Sequence, residues 1–303
     1  CTNKKKLRSE EIKLILEQDS LGESLYHIYV GSNKNGYKNG SLHRSKSFSD
    51  QYNLIKMDDN SQLLINEFIE FEIKRDDKIL NINQINNKGR AIIYKSNIDS
   101  WVINMQNFDN SKKEPQNINF KNLTGCLTII DSNLKDLEIN TQNLFCEDSL
   151  NFIRSKGNIK KISINDSISD GLDADFSEID FEEINVERAG NDCADFSFGS
   201  YKIHTANFKN CGDKGLSVGE KSSLELGEIF VENSIIGIAT KDSSVTKIQN
   251  VYLKKLETCV SAYKKKQEFN GSLIEIKNMN CENFINKKKD VDANSKIVVE
   301  NVI

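Results

Sequence analysis

Read at intervals of 22 residues, the middle of this chain returns the same chemistry. SDGLDADF from Ser169, NDCADFSF from Asn191, DKGLSVGE from Asp213 and IIGIATKD from Ile235 place Gly171, Cys193, Gly215 and Gly237 at equal positions. EDSLNFIR, with Ser149, stands one step before and TCVSAYKK one step after. Asn151, Asp173, Asp195 and Ser217 fall in one column of this alignment. The preceding turn carries Glu147 and Asp148, then Ser169 and Asp170, Asn191 and Asp192, and Asp213 and Lys214. Asp175 lies two positions beyond Asp173. Later segments bring Lys221, Lys241, Lys264 and Lys265, interspersed with Glu220, Asp242, Tyr263 and Glu268.

Two carboxylates about 5 Å apart repel by roughly 3 kcal/mol at an effective dielectric near 20. Three remedies exist, and each has a chemical use. A shared proton makes an acid–base pair, and a spacing near 5 Å suits retaining glycoside hydrolysis. A bridging cation would be calcium, with Asp170, Asp173, Asp192 and Asp195 as its ligands. A lysine or tyrosine beside a neutralised acid abstracts the proton next to a uronate carboxylate, as elimination and epimerisation require. The candidate catalytic residues are therefore Asp173, Asp192, Asp195, Asp213, Lys214, Lys241, Tyr263 and Lys264. Candidate binding residues are Glu147, Asp148, Asn151, Asp170, Asp175, Asn191, Ser217, Glu220, Asp242, Lys265 and Glu268. Turn preference explains single Asp and Asn residues between strands, but not acids inside the strands.

The elements that position these groups follow from the apolar pattern. Leu150, Leu172, Ala194, Leu216 and Ile238 form one column, and Phe152, Ala174, Phe196, Val218 and Thr240 the next. Alternation marks a half-buried strand. Repetition at 22 stacks each strand on its copy, and two more apolar stretches follow in each unit. The fold class expected is all-β: a right-handed parallel β-helix of about 22 residues per coil. Phe176 continues the inward set Leu172 and Ala174 in this reading. The leucine/asparagine consensus and helix of a leucine-rich repeat are missing. A single proline, Pro115, fits stacked strands, because proline removes a ladder hydrogen bond. It is expected in a loop between NFDNSKKE and a strand QNINFKN. QLLINEFIEFEIK, RAIIYKSNIDSWVINMQNF and GCLTIIDSNLKDLEIN read as earlier coils, giving about ten from near residue 62. Residues 61–303 then form the solenoid and 1–60 a tether and cap. In the cap, Ser9 with Glu10 and Glu11 starts a short helix carrying Ile12, Leu14, Ile15 and Leu16; LYHIYV is a strand and 31–50 a loop.

Composition narrows the function. The formal net charge is −4, which gives nucleic acid no basic face to bind. No run approaches the roughly 20 apolar residues of a membrane-spanning helix. Histidine chemistry has only His27, His43 and His204, without metal-binding spacing, so they read as surface residues. Seven cysteines, an odd number without CxxC spacing, argue against a zinc ribbon and a full disulfide framework; Cys126, Cys146, Cys193, Cys211, Cys259 and Cys281 read as buried free thiols. Cys1, followed by hydrophilic TNKKKLRSEE, fits the lipidated N-terminus of a bacterial outer-membrane lipoprotein, and equally a domain cut from a longer chain.

The segments EDSLNFIRS, SDGLDADF, GNDCADFSFGS, GDKGLSVGEKS, IATKDSS and AYKKKQEF resemble a family of bacterial right-handed β-helix proteins often joined to a CotH-type kinase-like domain. The family's motifs read approximately EDALN, SDAFDADF, GNDAIDFSGS, GDKGISVGE, SKDLS and YQKKPEFG. The likeness covers residues 122–272. It departs at Cys193 and Ala194, at Phe198 and at Gln267, leaving the acidic positions intact. The resemblance implies a β-helix of the pectate-lyase-like superfamily, where polysaccharide lyases, hydrolases and epimerases are frequent, and implies no reaction of its own. No kinase or phosphate-loop motif occurs here. The function expected is a secreted or cell-surface protein that binds, and cleaves, eliminates or epimerises, a polysaccharide along its Asp/Lys face. The alternative is a calcium-stabilised structural or adhesive module, part of a surface assembly.

Overall fold

The computed structural model describes residues 52–107 and 124–303, and the backbone of two paired two-residue strands, Tyr37–Lys38 and Ser41–Leu42. The expected N-terminal helix, the strand LYHIYV, Pro115 with its flanking segments, and Cys1 lie outside the described residues. Within 31–50, expected as loop, the short antiparallel pair is the one described feature.

From residue 79 onward the described residues wind as a parallel β-solenoid of about nine turns. One wall stacks Ala91–Tyr94, Gly125–Ile130, Asp148–Ile153, Asp170–Asp175, Ala194–Ser197 and Lys214–Gly219. The ends of Ser223–Lys241, Val245–Tyr263 and Leu273–Val291 continue it. The intervening walls are built by Asn133–Leu144, Lys156–Ser167, Glu178–Ala189 and Ser200–Cys211, and by the first parts of the 19-residue strands. The register reproduces the repeat: Leu150 faces Leu172, then Ala194, Leu216 and Ile238, all fully buried. Phe152, Ala174, Phe196, Val218 and Thr240 form the second inner column.

The first strands turn out differently. Asn53–Lys56 pairs antiparallel with Gln62–Ile65, which pairs antiparallel with Ala91–Tyr94; Ile69–Lys74 and Ile79–Gln84 form a hairpin. The segment read as the first coil instead closes the end of the solenoid. Antiparallel pairing covers the backbone edge that a first parallel coil would leave open.

Two corners in the central coils are made by left-handed residues. Asp131, Arg154, Phe176, Phe198, Glu220 and Asp242 follow one another at the end of the first wall, with φ between 47° and 58°. Asn143, Asp166, Arg188, Asn210, Asn233, Lys255 and Asn283 do the same at a second corner. Asn and Asp tolerate this region best among residues with a Cβ, which accounts for their frequency in the second column. The first corner also corrects the inward assignment of Phe176. At φ 52° the chain has left the strand, alternation ends, and the ring is 53% exposed.

Immediately after this corner runs a ladder of serines. Ser132, Ser155, Ser177, Ser222, Ser244 and Ser295 accept, through Oγ, hydrogen bonds from the backbone N–H of the preceding coil or a near neighbour; Ser155 Oγ to Ser132 N is 3.3 Å and Ser177 Oγ to Ser155 N is 3.0 Å. Gly199 interrupts it. A Cβ there would lie 2.3 Å from the Tyr201 ring, whose hydroxyl reaches the Ser177 N–H at 3.4 Å in place of the missing serine.

The reading of free thiols is overturned. Cys126–Cys146, Cys193–Cys211 and Cys259–Cys281 are disulfides. Cys126, Cys193 and Cys259 occupy the column of Ser149, Gly171, Gly215 and Gly237. That column faces the end of its own coil, so a partner 18 to 22 residues on arrives across the interior. Spacing rules for CxxC motifs miss a pairing set by the coil length. Ser149 and Ser167, in equivalent places, share a hydrogen bond of 2.6 Å instead. Each bridge closes a loop near 20 residues, worth about 3 kcal/mol. Replacing Cys193 and Cys211 together by serine is expected to lower stability by that amount in urea unfolding. An unchanged midpoint would show that the bridge does not form.

Candidate functional site

The outward side chains of the first wall form three rows across the coils. The row entering the strand is Asp148, Asp170, Asp192 and Lys214. The middle row is Thr128, Asn151, Asp173, Asp195 and Ser217. The exit row is Ile153, Asp175, Ser197 and Gly219, then Lys241 and Tyr263. Coils stack about 4.8 Å apart, so strand register alone makes acids neighbours.

The C-terminal half of this surface is neutralised internally. Lys214 Nζ lies 3.3 Å from Asp192 Oδ1 and also pairs with Asp213. Lys241, 4% exposed, reaches back over Gly219 to Asp195 Oδ2 at 3.2 Å and Ser217 Oγ at 2.9 Å. Any Cβ at Gly219 would sit 2.6 Å from the Lys241 Cε, so the glycine makes room for the lysine stem. Glu220 pairs with Lys266 and accepts from Ser197 Oγ. Burial pulls Lys214 and Lys241 down, but the carboxylates beside them hold both above the ordinary lysine range. Glu220 is held below its usual value by Lys266, Ser197 and Lys241 in spite of burial. Burial pushes Tyr263 up, against Lys214 and Lys241.

Among the described residues the N-terminal half has no lysine or arginine in an ion pair, although the buried Arg90 lies near enough to Asp148 to interact with it through space. Asp148, Asp170 and Asp173 have amide donors instead: Asn151 Nδ2 reaches Asp173 Oδ2 at 2.9 Å and Asp148 Oδ2 at 3.3 Å, and Asn191 Nδ2 reaches Asp170 Oδ1 at 2.7 Å, while Asp175 shares a hydrogen bond with the Asp173 carboxyl. Burial and mutual repulsion push the group upward. Asp170 rises to about 6, through burial and then Asp192. Asp175 rises to about 7, through burial and then Asp195 and Glu220. Asp148 and Asp173 are raised well above the carboxylate range by burial and neighbouring acids, and Asp192 is raised by burial against Lys214.

The sequence-derived residues thus come together across coils 148–241, with Glu147 half-buried at their edge. Lys264, Lys265 and Glu268 do not join the wall. They stand exposed on the segment linking Val245–Tyr263 to Leu273–Val291. That segment is pinned by Asp242, whose Oδ1 accepts from the backbone N–H groups of Lys265 and Lys266 at 2.7 Å each. Among the described residues no three His, Cys, Asp or Glu side chains are disposed to hold a metal ion.

Reasoning from the sequence missed a ridge of aromatics. Phe176 and Phe198 stack in parallel with centroids 4.6 Å apart, and Phe269 lies 6.1 Å from Phe198 at 60°. The pinned segment delivers Phe269, with Lys221 Nζ 5.9 Å from its ring, and Lys266 to Glu220. Phe176 and Phe198 are themselves 22 residues apart, so the repeat held the signal, but the turn that exposes them is not visible in alternation. Trp101 is buried, donating to Asp58 Oδ2 at 3.0 Å, and His204 is a surface residue beside Asp180. Comparison of the chain with family models, with curated proteins and with solved structures finds no match.

Proposed function

We propose that this chain is a secreted or cell-surface protein that binds a polysaccharide along the wall of Asp148–Lys241, and that the same wall serves cleavage, elimination or epimerisation of that polymer. The observation that carries the reading is the exposed Phe176–Phe198–Phe269 ridge bordering a wall of half-buried carboxyl groups. A pyranose has apolar C–H patches and a hydroxyl rim, and this surface offers a partner to each. Its repeat along the solenoid suits an extended polymer. Asp175, raised to about 7, supplies a carboxyl protonated near neutrality, as a general acid requires. Three disulfides support a location outside the reducing cytoplasm. Kinship with β-helix proteins joined to CotH-type kinase-like domains is part of the same proposal and rests on the motif series.

A second reading, a non-catalytic structural or adhesive module, is favoured by the saturation of Lys214, Lys241 and Glu220 within the protein. Glycan-array binding of the chain and of Phe176→Ala/Phe198→Ala separates the two. Both rings are exposed, so the variant is expected to fold normally and lose at least tenfold in affinity. Absence of any glycan ligand, with or without calcium, would leave the structural reading standing.

A further inference from the structure

Resting on the glycan reading, we infer that the sugar recognised at the N-terminal half of the wall carries a free amine: the ligand class is an amino-sugar polymer in its deacetylated, ammonium form. The surface there is rich in carboxyl groups and short of cations. Among the described residues no lysine or arginine lies within ion-pair distance of Asp148, Asp170, Asp173 or Asp175, whereas Asp192, Asp195 and Glu220 each have one. The deficit extends beneath the carboxylates. Asn151, 1% exposed, spends its amide donor on Asp173 and Asp148, and its Oδ1 has no partner. Among the described residues the Oγ of Thr128, next in the row, is buried without a partner, and so is Oδ1 of Asp195 on the other side.

Buried oxygens without donors cost about 1–3 kcal/mol each. A ligand that brings hydrogen-bond donors with positive charge supplies the missing donors and takes the place of the protons that Asp170 and Asp175 hold to about 6 and about 7. A metal ion would need converging ligands, and none converge among the described residues. An ammonium group needs only a carboxylate face. Acids recur on successive coils, about 4.8 Å apart, which is close to the advance per sugar of an extended glycan. The Phe176–Phe198 ridge at the strand exit takes the apolar side of the same rings, which favours an amine on a sugar over an amine on a peptide.

The test compares a glucosamine hexamer with its N-acetylated counterpart, identical in backbone but uncharged, by calorimetry on the 303-residue chain near pH 6, in buffers of different ionisation enthalpy, so that the protons the carboxyl groups release to make way for the ammonium groups are counted. The glucosamine hexamer is expected to bind at least tenfold more tightly, and to weaken with added salt. Asp170→Asn/Asp173→Asn, isosteric and checked for a normal melting transition, is expected to reduce that ratio toward one. Phe176→Ala/Phe198→Ala weakens both hexamers alike. Equal or tighter binding of the acetylated hexamer, or a ratio unchanged in the double aspartate variant, overturns the inference. So does lysine-decamer binding as tight as that of the glucosamine hexamer and indifferent to loss of the two phenylalanines, which would make the ligand a basic peptide. If neither hexamer binds but another glycan binds through the ridge, the amine is wrong and the glycan reading survives. If no glycan binds at all, both fall.

Discussion

In urea unfolding the chain is expected to be more stable near pH 5 than near pH 8, by about 2 kcal/mol or more. Unfolded aspartates release their protons near 3.9. In the folded wall Asp170 holds its proton to about 6 and Asp175 to about 7, with Asp148, Asp173 and Asp192 also raised. Between those limits the folded state binds more protons than the unfolded one, so stability falls as pH rises. Each pKa unit corresponds to about 1.4 kcal/mol, and partial exposure of these groups reduces what is realised. Below about pH 4.5 the slope reverses, because Glu220 and Asp58 are held low by their partners and lose those contacts on protonation. Asp173→Asn and Asp175→Asn should each stabilise the protein near pH 8 and do little near pH 5. A stability that is flat or rises from pH 5 to pH 8 would mean that cations from solution already neutralise the wall.

Lys241→Met is expected to be among the most damaging single changes on the surface wall, costing about 3–5 kcal/mol. Lys241 is buried, and its ammonium lies between Asp195 and Ser217 with Glu220 nearby. Removing it takes from the Asp195 carboxylate the one cation paired with it among the described residues, where its Oδ1 also has no partner. The loss therefore comes from a stranded charge more than from a missing attraction. Asp195→Asn combined with Lys241→Met is expected to recover most of it, because the charge leaves with its partner. Near-additive losses in the double mutant would show instead that the lysine stem packed over Gly219 matters most.

How much was legible beforehand differs between the core and the site. The columns Leu150–Ile238 and Phe152–Thr240 appear in the sequence because burial acts on every coil alike, and a period of 22 transfers directly into register. The placing of Asp173 beside Asp195 followed from the same arithmetic. The exposure of Phe176 and Phe198 did not, because it depends on a left-handed corner, and Phe is an uncommon choice there. The disulfides also escaped, because Cys193 and Cys211 meet only when the coil closes on itself.

The amino-acid sequence by itself determined the coil length, the inner columns and the concentration of acids on one outer face. These are properties of a one-dimensional repeat, in which each unit meets only its neighbours. The tertiary structure decided what the repeat cannot encode: where each coil turns, which end is closed by antiparallel strands, and which carboxylates receive a cation. Lys241 crosses two coils to reach Asp195, and Lys266 arrives from a segment outside the repeat to reach Glu220. Among the described residues no lysine forms an ion pair with Asp148, Asp170, Asp173 or Asp175. The division of the wall into a neutralised half and an open acidic half is therefore a matter of side-chain reach across coils.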